Sequence, residues 1–418
     1  MDHRHSNQPI LLVTATDLIG ERIGARMRQE LVLSALQELA PVEVAILTQD
    51  RSTPESGNPV TDGAPQRVAR FGWHRQAPTR AMQVRRLALG GPPLEIPTRP
   101  DSRLHHSLTS WLHERYSCCW VSRTVVFAAV RDVLPDVPVV VDIDDLEAEK
   151  RRAQLTLRQR SSADRPLVTR ARMSLAARQA SRDIDAWRCF EQAVAGEADR
   201  SIVCSEDDAR TLSVPGVEVI PNSYPMPPEP CGSREHAGPP TLLLVGPLTY
   251  GPNADAAEYL VREVLPRVRA EHPEARVRLV GRRSHRGDAL HAPPTVTVTG
   301  FVPDIDVELA RADVVVVPIR YGGGTRIKIL EAFAHRIPVV STAIGAHGLG
   351  AVHDEHLLLA DEADDFAAAC RRVIADRGLR RRLTAAAEAH YRSRFTADAV
   401  KRRVVEVVAD ILDASVTS

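Results

Sequence analysis

The chain contains 418 residues, of which 26% are charged and 44% hydrophobic, and its 54 basic and 54 acidic residues balance. A chain of this length is expected to form two or three domains. The balanced charge gives no bias toward nucleic acid, and an aromatic content of only 4% argues against base-stacking platforms. No apolar run approaches the roughly 20 residues that a membrane span needs. The N-terminus lacks the apolar core of a signal peptide, so we expect a cytoplasmic protein.

The six cysteines predict neither a metal site nor a disulfide framework. They show no CxxC pair and no histidine-containing metal spacing, so reduced structural thiols are expected. They are Cys118, Cys119, Cys189, Cys204, Cys231 and Cys370.

The N-terminal half opens with a βαβ pattern. Ile10–Thr14 predicts a strand, apolar residues at helical spacing over 23–39 predict a helix, and residues 42–47 predict the next strand. Gly20 and Gly24 lie at the first turn, but this GxxxG spacing differs from the GxGxxG of dinucleotide-binding proteins and indicates NAD only weakly. Further strands are predicted near residues 118–122, 137–141, 201–204 and 217–220.

Two basic segments follow in the N-terminal half. Residues 79–89 carry Arg80, Arg85 and Arg86 among apolar side chains, and residues 150–188 carry eleven basic side chains against three acidic ones. Such segments are typical of contacts with a membrane surface or an anionic acceptor. They are equally typical of helices whose basic face is solvated.

A cluster of carboxylates follows the predicted strand at 137–141, in the sequence DIDDLE at residues 142–147. Open α/β sheets bind ligands at the carboxyl ends of their strands. Three interpretations stay open at this point. The carboxylates cap the next helix, or Asp142 and Asp144 form a metal-binding DxD, or Asp142 resembles the nucleophile of haloacid-dehalogenase-type phosphatases, whose motif matches only in part.

Residues 221–240 are rich in proline and lack apolar periodicity, so they predict a linker. Beyond it the βα pattern restarts, with strands at 241–245, 276–280 and 296–299, Asn253 as a helix cap, and three terminal helices. The predicted division is therefore an N-terminal domain at 1–222, a linker at 223–240, a second domain at 241–395, and a helix at 396–418 that returns to the first domain. Two open parallel sheets of this kind would leave a cleft between their strand ends.

The most informative stretch runs from residue 314 to residue 345. Four valines predict a buried strand, which is followed by a turn at Gly322, Gly323 and Gly324. Thr325 is then the predicted N-cap of a helix over 326–335. Glycines allow close approach of a ligand, and the helix start favours an anion such as a phosphate or diphosphate.

Three charged side chains lie at the start of this helix. Arg326 and Lys328 add positive charge where the anion is expected, and Glu331 lies one turn beyond Lys328. A surface ion pair between Lys328 and Glu331 is the simpler alternative, and such a pair is typically worth less than about 1 kcal/mol.

Three segments together resemble a known family. They are LLLVGPLTYGPNADAAEYLVREVLP, VTVTGFVPDIDVELARADVVVVPI and GGGTRIKILEAFAHRIPVVST, within residues 241–360. They resemble the donor-binding domain of retaining glycosyltransferases of family 4, also called group 1, in the subset with a GGGTRIK loop. CSEDDARTL and VEVIPNSY resemble the end of that family's acceptor domain. The resemblance implies an α/β protein of the GT-B fold, with two Rossmann-like parallel-sheet domains facing across a cleft.

The resemblance also implies roles for individual residues. Glu331 matches the acid that binds the nucleotide ribose, whereas Gly323 stands where the family has its first glutamate and Pro247 where it has an arginine. Arg326 and Lys328 are then the cations that replace the usual diphosphate clamp. The remaining residues implied to contact the donor are Gly20, Gly246, Arg282, Phe301, Val302, Gly322, Gly324 and Thr325.

The implied activity is transfer of a sugar from a nucleoside-diphosphate sugar to a hydroxyl acceptor on a glycan, a lipid-linked glycan or a secondary metabolite. No cofactor and no metal are expected, and Arg123, Asp144 and Asp145 are the candidates for the acceptor side. The basic N-terminal segments suggest a peripheral contact with the inner membrane face. A sugar-nucleotide 2-epimerase, a Mg²⁺-dependent phosphatase using Asp142 and a non-catalytic scaffold subunit are the alternatives.

Overall fold

In the computed structural model the described residues are 8–17, 24–48, 65–73, 91–96, 101–113, 115–160, 167–233 and 238–417. The chain divides into two compact units. Unit 1 comprises Met1–Arg152, Ser162–Pro221 and Asp398–Ser418, and unit 2 comprises Ala153–Ser161 and Asn222–Ala397. Residues 223–240, predicted as a linker, are thus grouped with unit 2. Gly20 and the basic segment at 79–89 lie outside the described residues.

Unit 1 is built on a parallel sheet in which seven described strands follow the order β3-β2-β1-β4-β5-β6-β7. Consecutive strands that pair in parallel require a crossover, and the described crossovers are mostly helical. The strands are β1 (Ile10–Thr14), β2 (Val42–Thr48), β3 (Arg67–Gly72), β4 (Cys118–Ser122), β5 (Val139–Asp144), β6 (Arg200–Val203) and β7 (Val217–Val219).

The helices of unit 1 connect these strands and cover the faces of the sheet. They are α1 (Gly24–Leu36), α2 (Ser102–Trp111), α3 (Thr124–Val130), α4 (Glu147–Arg160), α5 (Leu167–Glu197), α6 (Glu206–Leu212) and the C-terminal α14 (Ala397–Thr417). Ser205 caps α6, because its hydroxyl oxygen accepts a hydrogen bond from the amide of Asp208 at 3.1 Å. Helix α4 begins in unit 1, and its residues from Ala153 onward are grouped with unit 2.

Two apolar clusters cover the faces of the unit 1 sheet. One contains alternate residues of the central strands together with α2 and α3. The other contains the opposite residues of those strands together with α1 and α14, from which Val400, Val404 and Ile411 are buried. Residues of both faces are apolar, as a parallel sheet covered on both sides requires.

A buried ion pair ties β5 to α1. Both carboxylate oxygens of Asp142 accept from the guanidinium of Arg28, at 2.7 and 2.8 Å, and Arg28 also donates to the carbonyl of Ile220 at 3.0 Å. Since Asp142 is fully buried, its carboxylate has a structural role and holds Arg28 inside unit 1. This arrangement opposes both the metal-binding DxD and the phosphatase nucleophile.

Unit 2 contains a second parallel sheet, with six described strands in the order β10-β9-β8-β11-β12-β13. The strands are β8 (Thr241–Val245), β9 (Arg276–Val280), β10 (Val296–Gly300), β11 (Val314–Val317), β12 (Val339–Ser341) and β13 (Leu358–Leu359). The helices are α7 (Gly251–Tyr259), α8 (Leu265–Arg269), α9 (His285–Asp288), α10 (Asp306–Leu309), α11 (Ile327–Ala334), α12 (Ala363–Ala375) and α13 (Arg377–Arg394).

Two predictions for unit 2 are wrong in detail. Helix α11 begins at Ile327, and its N-cap is Arg326 rather than Thr325. Helix α7 begins at Gly251 with Tyr250 as its N-cap, so Asn253 lies inside the helix and does not cap it. Among the described helices, none is long and apolar enough to cross a membrane.

Candidate active site

The carboxyl ends of β8, β9, β10 and β11 lie along one edge of the unit 2 sheet, because these strands are parallel neighbours. Most of the residues predicted to bind a donor come from the turns at this edge. Gly246 follows β8, Arg282 follows β9, Phe301 follows β10 and the glycine-rich loop follows β11. The structure therefore brings these predicted residues to one edge of one sheet.

Two side chains pack directly over Gly246. Its φ of 140° is one that other residues rarely adopt. A Cβ atom at this position would lie 2.6 Å from Nδ2 of Asn253 and 2.9 Å from Nζ of Lys328. Only glycine therefore allows both side chains to converge above the end of β8.

Lys328 points from the first turn of α11 toward this glycine. Its ammonium group donates a hydrogen bond to Oδ1 of Asn253 at 2.8 Å, and Asn253 in turn donates to the carbonyl of Pro247 at 3.0 Å. Burial and the neighbouring charge of Arg326 lower the pKa of Lys328 to about 7. Among the described residues no carboxylate lies within salt-bridge distance of its Nζ, so this cation would gain from an anion at the site.

The side chain of Arg326 packs against the glycine-rich loop that precedes it. Its guanidinium donates to the carbonyl of Gly323, and a Cβ atom at Gly322 would lie 2.9 Å from Nη2 of Arg326. Gly322 and Gly324 have φ values of 133° and 69°, so the turn depends on glycine at both positions. The loop and both cations thus surround the start of α11.

Thr325 is held by a contact with a residue distant in the chain, which no local pattern predicts. Its buried hydroxyl oxygen accepts a hydrogen bond from Nδ2 of Asn222 at 2.9 Å. This tertiary contact replaces the local N-cap bond that was predicted for Thr325.

Glu331 lies one turn beyond Lys328 and is buried. Burial raises the pKa of its carboxyl group to about 7, although the hydroxyl of Tyr224 donates a hydrogen bond to it and Lys328 acts in the opposite sense. Tyr224 is held in place by Tyr391, whose hydroxyl donates to the carbonyl of Tyr224 at 2.9 Å. The simple alternative of an exposed pair between Lys328 and Glu331 is wrong, since Lys328 bonds to Asn253 instead.

An exposed aromatic ring lies two strands away from Gly246. Phe301 follows β10 and is 57% exposed, and neighbouring strands are about 4.8 Å apart. Its backbone therefore lies roughly 10 Å along the edge from the end of β8. Val302, the next residue, is half-buried. Arg282 follows β9, and its carbonyl accepts a hydrogen bond from the amide of Leu248 at 2.8 Å.

The predicted acceptor residues form a separate group in unit 1, at the carboxyl ends of β4 and β5. Arg123 and Asp144 have φ values of 79° and 66°, which are costly for residues other than glycine. Their side chains form an ion pair at 3.5 Å, and the thiol of Cys204 donates to Asp144 at 3.2 Å. Asp145 acts on the same guanidinium electrostatically. Two strained residues on neighbouring strands, joined by their charges, are typical of a functional site.

Residues 239–376 match the family model described as "Glycosyl transferases group 1". This stretch of unit 2 is similar to a group 1 glycosyl transferase domain. The match covers the strands and loops of unit 2 that carry Gly246, Phe301, Lys328 and Glu331. No curated protein matches the sequence.

Solved structures of similar fold extend over the whole chain. Sucrose-phosphate synthase from Thermosynechococcus elongatus is 18% identical with a TM-score of 0.70, covering 98% of this chain and 100% of that one. HepE from Anabaena, in complex with UDP and glucose, is 15% identical with a TM-score of 0.63, covering 97% and 100%. Trehalose-6-phosphate synthase from Burkholderia multivorans is 12% identical with a TM-score of 0.64, covering 99% and 98%.

The likenesses of structure confirm the predicted GT-B fold, and the family match supports the predicted glycosyltransferase class. The assignment to family 4, the retained configuration and the roles of single residues stay predictions. Asn253, Asn222 and Tyr224 are the residues of the site that the sequence did not indicate. Asn253 was predicted as a helix cap, and Asn222 and Tyr224 lie in the VEVIPNSY segment that carried part of the family resemblance.

Proposed function

We propose that the protein is a retaining, metal-independent glycosyltransferase of family 4 that moves a sugar from a nucleoside-diphosphate sugar to a hydroxyl acceptor. The observation that supports this most is Lys328. It is a half-buried cation with a depressed pKa, held by Asn253 over Gly246 at the edge of the sheet. A diphosphate at this edge would offset the cost of its charge.

The other donor contacts follow from the same edge. Arg326 and the amide groups at the start of α11 face the second phosphate, where the helix dipole favours negative charge. Glu331 accepts a hydrogen bond from the ribose, and Phe301 stacks on the base. When the bond between the sugar and the diphosphate breaks, these groups stabilise the charge that develops on the leaving phosphate.

The acceptor is assigned to unit 1, where Arg123, Asp144 and Asp145 meet at two strand ends. The proton of the attacking hydroxyl passes to an oxygen of the leaving diphosphate, so that no separate base is required. The retained configuration rests on the family resemblance of the GGGTRIK loop.

UDP is the first probe of the donor site, because the structure of HepE contains it. Calorimetric titration of the full chain with UDP should give one site, and Lys328→Met should weaken it about 10- to 100-fold, as expected for a lost hydrogen bond to a charged group. Glu331→Gln should weaken it in the same sense. Lys401→Met is the matched control, because Lys401 pairs with Glu38 at 2.6 Å in unit 1.

The donor assignment would be overturned if the wild type and both site variants bound UDP, ADP and GDP all with the same affinity. If binding is confirmed, incubation with a nucleotide sugar separates the remaining candidates. Release of an epimerised nucleotide sugar would identify a 2-epimerase, and binding without turnover for any acceptor would identify a scaffold subunit.

A further inference from the structure

Three side chains that the donor site does not use meet at the other end of α11. They are Cys231 in the short helical turn Cys231–Ser233, Asp306 at the start of α10, and His335 at the end of α11. Each offers one ligand atom, and these atoms lie within 4.8 Å of one another. The residues are 75 and 29 positions apart along the chain, so only the fold brings them together.

His335 is a buried imidazole whose Nε2 faces the carboxylate of Asp306. Its side chain is 1% exposed, and its Nδ1 has no hydrogen-bond partner among the described residues. Its Nε2 lies 3.5 Å from Oδ1 of Asp306, which is longer than an ordinary hydrogen bond. Nitrogen and oxygen ligands of a tetrahedral zinc ion lie about 3.4 Å apart, given bond lengths of about 2.1 Å. The spacing therefore fits two ligands of one ion.

The backbone holds Cys231 against the end of α11. The amide of Gly232 donates to the carbonyl of His335 at 2.8 Å, and a Cβ atom at Gly232 would lie 2.3 Å from the carbonyl oxygen of Arg336. Only glycine permits this approach. The thiol of Cys231 donates a hydrogen bond to the backbone carbonyl oxygen of Asp306 at 3.6 Å, and its sulfur lies within 4.8 Å of the other two ligand atoms.

Asp306 is oriented independently of the other two residues. Its backbone amide donates a hydrogen bond to Oδ1 of Asp304 at 2.9 Å. The Asp306 carboxylate is half exposed, at 48%, which leaves a route for an ion from solvent. Asp304 adds a second negative charge close to this route.

We propose that Cys231, Asp306 and His335 bind a zinc-class divalent cation through one sulfur, one oxygen and one nitrogen atom. A thiolate and an imidazole favour Zn²⁺ over Mg²⁺ or Ca²⁺. On binding, the Cys231 thiol releases its proton to solvent as the sulfur–metal bond forms, and water completes the fourth position. Seven residues of helical rise, about 10 Å, separate His335 from Lys328, so the ion takes no part in sugar transfer.

The ion would fix the end of the helix that carries the donor residues. The ring of His335 contacts the ring of Tyr224 edge to face, with centroids 6.0 Å apart, and the hydroxyl of Tyr224 donates to Glu331. Metal binding therefore orders His335 and, through Tyr224, the surroundings of Glu331.

The test is titration of the full chain, freed of metal with a chelator, with Zn²⁺ and separately with Co²⁺. We expect one zinc per chain, a thiolate-to-cobalt charge-transfer band in the near ultraviolet, and a higher melting temperature with zinc. Cys231→Ser and Asp306→Asn should each weaken binding by at least about tenfold, and Cys231→Ser should abolish the charge-transfer band. Cys189→Ser, which removes an exposed thiol of unit 1, should behave as wild type.

The half-exposed position of Asp306 makes Asp306→Asn the variant least able to disturb folding, so it keeps the test valid if Cys231→Ser or His335→Gln is poorly folded. Zinc binding that is unchanged in Asp306→Asn and Cys231→Ser would overturn the proposal. A cobalt spectrum without a thiolate band would do the same.

Discussion

The surroundings of Lys328 disfavour the charged form of its side chain in the free protein. A lysine is ordinarily charged at neutral pH, but burial and Arg326 lower the pKa of Lys328 to about 7. The bound diphosphate would restore the charge, because an opposite charge within a few ångströms favours the protonated form. Donor binding should then take up a proton above neutral pH.

The affinity for UDP should therefore fall as the pH rises from 7.5 to 9.5, by up to about tenfold per pH unit. Over this range free Lys328 has lost its proton while the bound form must regain it, and the phosphates are already ionised. Lys328→Met should bind weakly with little pH dependence. Calorimetry in buffers of different ionisation enthalpy would measure the proton uptake, and the same slope in wild type and Lys328→Met would contradict this account.

The charged members of the candidate site were named from the sequence, but the neutral side chains that contact them were not. Lys328 and Glu331 lie in one short helix and Arg326 is its N-cap, so a local pattern sufficed to name them. Asn253 bonds to Lys328 across 75 positions, and Asn222 bonds to Thr325 across 103. Such contacts depend on how loops return to the same edge of a sheet, and no local propensity encodes that.

At the level of elements, the turns that follow the strands decide which side chains meet. Gly246 ends β8 with a φ of 140°, and Gly322 ends the approach to α11 with a φ of 133°. These conformations are costly for any residue with a Cβ atom. The two glycines therefore control the distance between the end of β8 and the first turn of α11.

Gly246→Ala should weaken UDP binding by about tenfold or more and should destabilise unit 2 by about 1 to 3 kcal/mol. The new methyl group would lie 2.6 Å from Asn253 and 2.9 Å from Lys328, so both side chains must move. Gly196→Ala is the matched control, because a Cβ atom there meets nothing within 4 Å and alanine favours its helix. Calorimetric titration and thermal melting of both variants would test this, and equal behaviour would rule out a role for the close approach.

Element prediction failed where the apolar pattern is short or mixed. Strand β13 has only two residues, Leu358–Leu359, and β3 alternates arginine with apolar residues at the edge of the unit 1 sheet. Both lie at sheet edges, where one neighbour is missing and burial imposes less of a pattern. The central strands carry continuous apolar runs, and their prediction is correct to within a few residues.

At the scale of the whole molecule, the C-terminal helix α14 completes the apolar core that α1, β1 and β2 form in unit 1. Helix α14 contributes buried valines to the apolar cluster that contains α1, β1 and β2, and Val404 is fully buried there. The helix is 21 residues long, yet a helix of this length gains most of its stability from packing its apolar stripe. Unit 1 should therefore be stable only with α14 in place.

Val404→Ala should lower the stability of unit 1 by about 1 to 3 kcal/mol, from lost burial and the cavity that remains. Arg402→Ala, on the exposed side of the same helix, is the control and should change stability by less than about 0.5 kcal/mol. Hydrogen exchange resolved by peptide would locate the effect, since amides of β1 and β2 should lose protection while those of β8 and β9 keep theirs. Equal loss in both sheets would mean that the units unfold together. Unchanged protection of β1 and β2 would instead show that α14 does not stabilise the core of unit 1.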